Sequence, residues 1–449
     1  MIEITILDSV HCEIDRRGGA LIKPILCYPS VFYKSGAYRK ERVEYLKTTM
    51  MRNKSGKYIF FTGFLPRVKA FLEKENQEYK IDRVFDTYIK PQEVKINLTL
   101  RPEQQRSVDS AISIFNDQRG VLIAPTGIGK TLLGVALASA FPKNNILWLC
   151  HTKDLLNQTI DEFKKMGLGT VGVIGSGEAD IKRITVGTRQ SVIKFIGSLD
   201  VFDIVVVDEA HHVSDFSGQY SEILKNLIAP IRIGLTATFP DKEEAKMALE
   251  AFIGPIIDQI TYQEASDLHT IAKPKIKIIK TKYSYNTSEL RTYPEVYERA
   301  IIFNRDRNSQ IKDIAISHAL KNESVLIIVH RIEHGKTLEK EIKGSIFVYG
   351  ATEDEARMKA KMDLNFKKQK IVIASTIFSE GINIPELNII INAAGGKSEI
   401  RTIQTIGRGL RITDKKKELL VYDFFDPSHR YLIAHFGERI SLYSKMDWI

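Results

Sequence analysis

Runs of apolar residues divide the chain into a short first segment and two longer segments with a different pattern. The first segment, through about residue 95, has β-type runs at 2–7 and 20–26. A turn at 52–57 leads into a predicted strand at 58–61, which completes a hairpin. Pro66 stands where a helix is predicted to begin. The pattern predicts a small β-rich α+β domain.

From residue 100 onward, short all-apolar runs alternate with helical patterns. All-apolar runs are typical of strands buried on both faces of a parallel sheet. The first set of such strands is predicted at 120–124, 146–149, 204–207 and 231–235. A predicted helix that begins at Lys130 carries apolar residues at helical spacing through Ala140.

A second alternating set follows the stretch 263–304, which is predicted to be a connector. Its strands are predicted at 325–329, 346–348, 371–374, 389–391 and 419–422. The predicted fold class is therefore α/β, with two tandem parallel-sheet lobes after the β-rich domain. The predicted boundaries are 1–95 for the first domain, 96–265 for the first lobe and 266–449 for the second lobe.

The charge balance favours a polyanionic partner. Of the 449 residues, 65 are Lys or Arg and 55 are Asp or Glu, which gives a net charge of +10. The first 95 residues hold eighteen Lys or Arg against twelve Asp or Glu, interleaved with aromatic side chains. Such a mixture suits a nucleic-acid surface, because cations neutralise phosphates and release their counterions. A basic surface that serves only solubility is equally consistent with the charge, and most of the aromatics are expected in the core.

Cysteine usage and hydropathy indicate the compartment. The three cysteines are Cys12, Cys27 and Cys150, and their spacing fits neither a metal knuckle nor a disulfide framework. No apolar run reaches the ~20 residues that cross a bilayer, and the N-terminus lacks the pattern of a signal peptide. We expect a cytoplasmic protein, in the host cytoplasm if it is phage-encoded, without a membrane partner.

The clearest chemistry lies in one glycine-rich segment, Pro125-Thr126-Gly127-Ile128-Gly129-Lys130-Thr131. It follows a predicted buried strand and opens a helix, which is the context that a phosphate-binding loop requires. The glycines let backbone N–H groups converge on phosphate oxygens, and the helix N-terminus adds partial positive charge. Lys130 can reach the outer phosphates, and Thr131 can offer its hydroxyl to Mg²⁺. The alternative is a glycine-rich turn with a structural role alone.

Two acids follow the predicted strand at 204–207. Ligands gather at the carboxyl ends of parallel strands, so Asp208 is placed to hold Mg²⁺ there. We expect this contact to run through water, because Mg²⁺ keeps much of its hydration shell. Glu209 is the candidate to polarise the attacking water. Together with the Lys130 loop, the two acids predict hydrolysis of ATP with Mg²⁺.

The order of these motifs along residues 98 to about 430 resembles the DEAH-type helicases of superfamily 2. The resemblance implies two RecA-like lobes and ATP with Mg²⁺ as ligands. It also implies that ATP hydrolysis opens and closes the lobes and thereby drives movement along a nucleic acid.

In the first lobe the resemblance assigns three kinds of contact. Arg101 and Gln104 would lie against the adenine, with helix capping as the alternative. The strand-contact residues would be Thr152 and Lys153 in the segment 149–158, and Thr188 and Arg189 in the segment 185–190. Loop hydroxyls of this kind suit phosphodiester contacts, although any of them could equally cap a helix. The coupling element would be Thr236 and Thr238, which link the hydrolysis site to the strand through His211.

In the second lobe, His330 and Arg331 occupy the place of a strand-contact motif. The segment 374–385 resembles the motif that touches both strand and nucleotide. Within it, the strand contacts would be Ser375 and Thr376, and the nucleotide contacts Gly381 and Asn383. Many relatives carry Asp where this chain has Asn383, so its hydrogen bond to a ribose hydroxyl would lack charge assistance.

The segment 404–411 resembles the arginine-finger motif of the family. Arg408 and Arg411 are three residues apart, so on a helix they project from one face. Two forked guanidiniums can meet a γ-phosphate, and the resemblance implies that they act with Gln404 and Glu209 in catalysis. A solvated basic helix is the alternative.

The stretch from Gly395 through the arginine motif is similar to phage UvsW-type helicases, which remodel forks and migrate branches. So is the placement of a small basic domain before the lobes. We therefore predict a monomeric ATP-dependent DNA helicase or translocase that acts on branched DNA in replication, recombination or repair. An RNA helicase, or a duplex translocase that separates no strands, is also open, because the motifs contact the backbone. A binding protein gated by nucleotide without turnover is the alternative from another class, although Lys130, Glu209, Gln404 and Arg411 speak against it.

Overall fold

The computed structural model divides the chain into two compact units. One unit comprises Met1–Ala124 with Gly129–Ile260, and the other comprises Pro125–Ile128 with Thr261–Ile449. The residues that the structure describes are 1–35, 40–84, 89–92, 99–113, 119–175, 177–268, 271, 274–281, 287, 289–375, 384, 386–396 and 418–449. Each unit contains its own predominantly parallel sheet.

The N-terminal part of the first unit has a small sheet of its own. Its strands are β1 Ile2–Ile6, β2 His11–Ile14, β5 Met51–Arg52, β6 Tyr58–Phe61 and β7 Tyr79–Arg83, in the order β5-β6-β2-β1-β7. Alternate residues of β1 (Ile2, Ile4 and Ile6) are buried, as expected for a strand with one face on the core. The predicted hairpin is confirmed, since β5 and β6 pair antiparallel.

The prediction of a strand at 20–26 is wrong. Arg16–Ile22 form helix α1, and a 3₁₀ turn follows at Lys23–Leu26. The Asp15 side chain accepts a hydrogen bond from Gly18 N at 2.8 Å and caps the helix. Pro24 lies at the start of the 3₁₀ turn, where the backbone N–H that proline lacks would have no acceptor within the turn. Local capping therefore outweighs the strand preference of this apolar run.

A two-stranded antiparallel ribbon pairs separately from the small sheet. Its strands are β3 Cys27–Ser35 and β4 Lys40–Thr48. It was not predicted from the sequence, because charged residues interrupt the β-type alternation of both strands. Helix α2, Leu65–Lys74, was predicted, and Pro66 lies in its first turn.

The larger sheet of the first unit consists of buried parallel strands. Its strands are β8 Arg119–Ile123, β9 Ile146–Cys150, β10 Gly172–Gly175, β11 Glu178–Asp180, β12 Ile184–Thr188, β13 Ile204–Asp208, β14 Ile231–Thr236 and β15 Ile256–Gln259. Their order is β11-β10-β12-β9-β13-β14-β8-β15, and the β10–β11 pair alone is antiparallel among them. Every residue of β8, β9, β12, β13 and β14 is buried. The four strands predicted from all-apolar runs are therefore confirmed.

Helices pack on this sheet. They are α3 Pro102–Ser113, α4 Lys130–Ser139, α5 Lys153–Lys165, α6 Arg189–Val192, α7 Gln219–Asn226 and α8 Glu243–Phe252. In α4, a Cβ added at Gly134 would lie 2.5 Å from the ring of Trp148, so glycine allows the helix to approach β9 directly. This close packing fixes the helix that begins at Lys130.

The small sheet is docked on α8 through polar and aromatic contacts. Arg67 pairs with both carboxylate oxygens of Glu250, with its Nε 2.9 Å from Oε1. The Tyr28 hydroxyl donates to Glu244 at 2.9 Å, and the rings of Phe61 and Phe252 meet edge to face at 4.9 Å. The two-pronged contact of Arg67 with Glu250 and the packing of Phe61 on Phe252 both favour one fixed orientation of the small sheet on α8.

Two arginines anchor the loop between β1 and β2. The Arg119 guanidinium donates to Ser9 O at 2.7 Å, and that of Arg232 reaches Ser9 Oγ at 3.4 Å. Arg232 is fully buried and also donates to backbone carbonyls, among them those of Leu224 and Phe252 at 3.0 Å. A buried guanidinium is tolerated here because its donors are satisfied by carbonyl oxygens. The N-terminal domain and the first parallel sheet are thus one packed body.

The second unit has a wholly parallel sheet. Its strands are β16 Pro274–Lys280, β17 Val325–Val329, β18 Ser345–Val348, β19 Ile371–Ser375, β20 Ile389–Asn392 and β21 Leu419–Phe425, in the order β16-β21-β20-β17-β19-β18. The five predicted strands are confirmed. The stretch 263–304 is more than a connector, because it contributes the edge strand β16. Pro274 begins that strand, at a position where the backbone need not donate a hydrogen bond to the neighbouring strand.

The helices of the second unit are α9 Tyr262–Asp267, α10 Tyr293–Tyr297, α11 Arg305–Leu320, α12 Ile332–Glu341, α13 Asp354–Asn365 and α14 Arg430–Lys445. Helix α14 is tied to β21 by a buried ion pair, in which Arg439 donates to both carboxylate oxygens of Asp423 at 2.8 and 3.1 Å. Across the part of the chain that the structure describes, no helix combines the length and apolar character that a membrane span needs. The predicted class, two RecA-like α/β lobes after a β-rich α+β domain, is confirmed.

Candidate functional site

The loop between β8 and α4 has the backbone that its glycines predict. Gly127 and Gly129 adopt positive φ angles of 96° and 88°, which residues with a Cβ rarely reach. Just before the loop, Ala124 N donates to Thr236 O at 2.8 Å, which ties the loop to the end of β14. The chain therefore turns sharply before the N-terminus of α4, the arrangement that presents backbone N–H groups to a phosphate.

Lys130 and Glu209 face each other at the carboxyl edge of the sheet. Strands β13 and β8 both pair with β14, so their carboxyl ends lie close together. Lys130 Nζ is 3.7 Å from Glu209 Oε1, and the two side chains are 10% and 11% exposed. The predicted phosphate-binding cation and the predicted base are therefore neighbours in a nearly dry site.

Glu209 has an uncommon backbone conformation. Its φ and ψ are both 51°, in the left-handed region that a side chain with a Cβ seldom occupies. Such a residue carries a conformational cost of about 1–3 kcal/mol, and residues of this kind cluster at functional sites. Glu209 N donates to Asp208 Oδ1 at 2.9 Å, and a 3₁₀ turn, Ala210–His212, follows.

The electrostatics of this edge fit a divalent cation. Asp208 is almost fully buried, and burial together with the adjacent Glu209 carboxylate raises the pKa of Asp208 above its usual range, while Lys130 lowers it. The single positive charge of Lys130 thus offsets the two carboxylates only in part, and a bound cation would neutralise the remaining negative charge. Within the described ranges there is no cluster of three or more His, Cys, Asp or Glu arranged for a metal. Mg²⁺ usually takes one or two carboxylates and completes its shell with water and substrate phosphates.

Gln104 and Arg101 lie at the start of α3. Gln104 Oε1 accepts a hydrogen bond from Arg101 N at 2.9 Å, so the capping role considered for it is present. A Cβ added at Gly129 would lie 3.2 Å from Gln104 Nε2, which shows that the amide borders the phosphate loop. The Arg101 Nε atom is 3.1 Å from the buried Glu103 carboxylate. Helix α3 therefore brings Gln104 to the loop, and the Arg101 side chain is paired with Glu103.

The coupling residues form one hydrogen-bonded cluster. His211 Nδ1 is 3.0 Å from Thr236 Oγ1, and the same ring is 3.5 Å from Glu209 Oε2. Thr236 Oγ1 in turn donates to Thr238 O at 2.8 Å. The structure therefore joins the acid after β13 to the turn after β14 through one imidazole.

The strand-contact residues of the first unit follow neighbouring strands β9 and β12. Thr152 caps α5, accepting a hydrogen bond from Leu155 N at 3.3 Å. The Thr188 hydroxyl donates to Ser191 Oγ at 3.2 Å. The Arg189 guanidinium lies 5.8 Å from the centre of the Tyr220 ring. The capping alternative thus holds for Thr152, and these residues, with Lys153 at the start of α5, share the carboxyl edge of the sheet with the Lys130 loop.

Residues of the second unit occupy the matching edge of its own sheet. His330 and Arg331 directly follow β17, and Ser375 ends the adjacent strand β19. His330 and Arg331 are exposed, whereas Ser375 is buried and its hydroxyl has no hydrogen-bond partner among the residues described. The predicted residues Thr376, Gly381, Asn383, Gln404, Arg408 and Arg411 lie outside the described residues.

Some residues near these sites were not predicted. The Tyr297 hydroxyl donates to Ala394 O at 2.6 Å, and Arg439 Nη1 donates to Gly396 O at 2.9 Å. Both bonds hold the end of the segment that leads toward the arginine motif. No local motif marks either residue, because the contacts depend on how α10 and α14 pack on the second sheet.

Comparison with known families matches the order of these sites. Residues 97–241 match the family described as Type III restriction enzyme, res subunit, and residues 306–413 match the helicase conserved C-terminal domain. The first match covers the Lys130 loop and the two acids, Asp208 and Glu209. The second match covers the predicted arginine motif. The chain belongs to the superfamily 2 helicases. It is an ATP-dependent helicase enzyme by family, and ATP is the nucleotide that the family implies.

Curated relatives of this superfamily 2 helicase include DNA motors. It is 26% identical to DNA 3'-5' translocase XPB2 of Sulfurisphaera tokodaii, an alignment that spans 78% of this chain and 87% of that protein. It is 27% identical to the ATP-dependent DNA helicase uvsW of Enterobacteria phage T4, over 84% of this chain and 82% of the relative. Among solved structures, the Pyrococcus furiosus Hef helicase domain superposes with a TM-score of 0.53 at 14% identity, covering 76% of this chain and 98% of that one. The last likeness concerns the fold alone.

Proposed function

We propose that this helicase couples ATP hydrolysis to movement along branched DNA, as in fork remodelling and branch migration. The observation that carries the hydrolysis part is the pairing of Lys130 with Glu209 at 3.7 Å beside the buried Asp208. A cation for phosphates and an acid for water, held together at one strand edge, are the two groups that phosphoryl transfer requires. The left-handed backbone at Glu209 supports a functional use for that acid.

At this site Lys130 would bind the outer phosphates, and the N-terminus of α4 would supply backbone donors. Glu209 would orient the attacking water and accept its proton. A bound Mg²⁺, held by Thr131 and Asp208, would neutralise charge on the phosphates. Gln104, which borders Gly129, would contact the adenine with Arg101. The nucleotide contacts Pro125, Thr126, Gly127, Ile128, Gly381 and Asn383, and the catalytic groups Gln404, Arg408 and Arg411, complete the proposed set.

The DNA contacts would come from loop residues at the carboxyl edges of the sheets. The proposed residues are Thr152, Lys153, Thr188, Arg189, His330, Arg331, Ser375 and Thr376. Phosphate contacts of this kind position a strand without reading its sequence. His211, Thr236 and Thr238 would couple these contacts to hydrolysis, an assignment supported by the 3.0 Å contact between His211 and Thr236.

The preference for branched DNA rests on the first domain, proposed as residues 1–95 before lobes at 96–265 and 266–449. It is basic, and its five-stranded sheet is docked on α8 through Arg67 and Glu250. A duplex held there would keep a fixed position relative to the Lys130 loop. The resemblance to UvsW-type helicases supports the same substrate.

A second candidate is a duplex translocase that separates no strands. The observation that favours it is the similarity to a protein named a DNA 3'-5' translocase. The two candidates share the hydrolysis site and differ in the outcome on DNA: a helicase yields single strands, whereas a translocase displaces bound obstacles and leaves duplexes paired.

Strand displacement on defined substrates tests the proposal. The full chain is incubated with a synthetic fork, a four-way junction, a linear DNA duplex and an RNA duplex, each with and without ATP and Mg²⁺. We expect ATP-dependent conversion of the fork and the junction, and little product from linear DNA or RNA. Activity on RNA alone would overturn the DNA assignment. A fifth substrate, a linear DNA duplex that carries a triplex-forming strand, tests the second candidate: displacement of that strand without conversion of the fork would favour the duplex translocase.

A further inference from the structure

A column of stacked rings connects the acid loop after β13 with the strand-contact loops. The rings of His211 and His212 are 4.3 Å apart and tilted by 36°, and those of His212 and His151 stack at 3.5 Å with an interplanar angle of 8°. The His151 ring is also parallel to Tyr220, at 6.2 Å and 9°. We call these four residues the stacked column.

The sheet order explains why these rings meet. His151 directly follows β9, and His212 ends the 3₁₀ turn that follows β13. Strands β9 and β13 are parallel neighbours, so the residues after them emerge side by side. Tyr220 lies in the first turn of α7, where its ring also lies 5.8 Å from the Arg189 guanidinium. The stacked column therefore runs from Glu209 and Thr236, which flank His211, to Arg189.

The central pair of the stacked column is uncharged and closely packed. Burial lowers the pKa of His151 to about 4 and that of His212 to about 2, so both imidazoles are neutral near pH 7. Because these two rings stack at van der Waals distance, a tilt of one ring displaces the other.

The far end of the column has polar atoms without partners. Buried atoms His151 Nδ1, Tyr220 OH and Arg189 Nε have no hydrogen-bond partner within the described ranges. Buried donors and acceptors left unpaired are costly. A ligand with several acceptor oxygens, such as a phosphodiester of the bound strand, would relieve that cost by ordering this end.

We propose that His212, His151 and Tyr220 are positioning residues that transmit strand binding at Arg189 to the Glu209 carboxylate through His211. This inference rests on the proposed function and adds residues to which the sequence motifs assigned no role. It requires two arrangements of the column, one with DNA and one without, that differ in the position of His211 between Glu209 and Thr236. His212, His151 and Tyr220 are not among the residues proposed to contact ATP or the attacking water, so their loss affects stimulation by DNA and leaves hydrolysis without DNA in place.

The experiment compares an aromatic side chain with an aliphatic side chain of similar size at the same position. His212→Leu and His151→Leu remove the stack without leaving a cavity, whereas His212→Phe and His151→Phe restore it without the imidazole nitrogens. Tyr220→Leu tests the far end. His318→Leu is the control, because it removes a buried imidazole that lies beside the Tyr422 ring at 5.5 Å in the second unit, outside the column and outside the proposed DNA-binding domain. ATP turnover is measured for each full-length protein with and without a synthetic DNA fork.

We expect the three column Leu variants to lose about tenfold in fork-stimulated turnover, the size of a typical coupling between sites. Their turnover without DNA should remain within about twofold of the parent rate, and the Phe variants and His318→Leu should be stimulated like the parent. Leu variants that are stimulated as strongly as the parent would overturn the inference. So would Leu variants that lose turnover equally with and without DNA, which indicates a merely structural role. A parent protein that DNA does not stimulate would instead overturn the proposed function.

Discussion

Lys130 Nζ lies 3.7 Å from Glu209 Oε1, where the carboxyl ends of β8 and β13 meet. At this distance the charges of the two side chains compensate each other. A triphosphate would draw the ammonium toward its own oxygens and release the carboxylate. We therefore expect nucleotide binding itself to prepare the base, since Glu209 becomes available once Lys130 has moved.

Lys130→Ala should reduce ATP turnover by about a hundredfold or more, the usual effect of removing a group that stabilises the transition state. DNA binding should remain within a small factor, because the proposed strand contacts lie on other loops. The measurements are steady-state ATP hydrolysis and fluorescence anisotropy of a labelled fork. Lys143→Ala, an exposed lysine of the same unit, serves as the control. If Lys130→Ala hydrolyses ATP at the parent rate, Lys130 does not bind the phosphates.

Arg439 should contribute strongly to the stability of the second unit. The Arg439→Met variant leaves the fully buried Asp423 carboxylate without its guanidinium, for which we expect a loss of about 3–5 kcal/mol in the free energy of unfolding. The double variant Arg439→Met/Asp423→Asn should recover part of the loss, because it also removes the buried charge. Urea unfolding followed by circular dichroism measures both. A loss below about 1 kcal/mol in the single variant would contradict the burial of this pair.

His334 should make stability depend on pH. Burial, with a smaller effect of Arg307, lowers the pKa of His334 from 6.5 to about 3. The unfolded chain takes up a proton below pH 6.5, whereas the folded imidazole stays neutral until about pH 3. The contribution of His334 to the free energy of unfolding is therefore complete above pH 6.5. It is lost as the pH falls, by up to about 1.4 kcal/mol per pH unit.

The variant His334→Gln tests this dependence. The amide can still donate to Asn308 Oδ1, which lies 3.0 Å from His334 Nε2, but it takes up no proton. Urea unfolding between pH 7 and 5 should show a shallower decline of stability for the variant than for the parent. Equal slopes would mean that His334 is not buried as a neutral ring.

The contact between Arg67 and Glu250 should hold the N-terminal domain on α8. A double-mutant cycle with Arg67→Ala and Glu250→Ala should give a coupling of about 1 kcal/mol, since the pair is forked but partly exposed. The coupling should weaken at high salt. Lys246→Ala with Glu243→Ala, an exposed pair on the same helix, should give a smaller value. Equal couplings would mean that the docking depends on the apolar contacts alone.

Strands β8, β9, β13 and β14 of the first sheet and five of the six strands of the second were predictable, because a strand buried on both faces has almost no polar residue to obscure it. Strands β10, β11, β12 and β15 were not predicted. The run at 20–26 was mistaken for such a strand, because its apolar content is the same in a capped helix. Pro274 and the alternating lysines concealed the edge strand β16, which is paired on one side only. The predictions thus failed where neighbouring elements, rather than local pattern, decide the structure.

The same distinction applies to the site. Lys130, Asp208 and Glu209 were predictable, because each stands at a fixed distance from a recognisable strand end. The stack of His212 on His151 was not, because it depends on β9 and β13 being neighbours and on the rotation of both rings. Arg439 was missed for the same reason, since its contact with Gly396 comes from the packing of α14.

The most direct test of the hydrolysis site is the variant Glu209→Gln, examined in one reaction for ATP binding, ATP turnover and fork conversion. Gln keeps the size of the side chain and cannot accept the proton of water. Nucleotide binding, followed with a fluorescent ATP analogue, should match that of the parent, while turnover and fork conversion should both fall by at least about a hundredfold. Turnover at the parent rate would show that the base is another residue and would contradict the account.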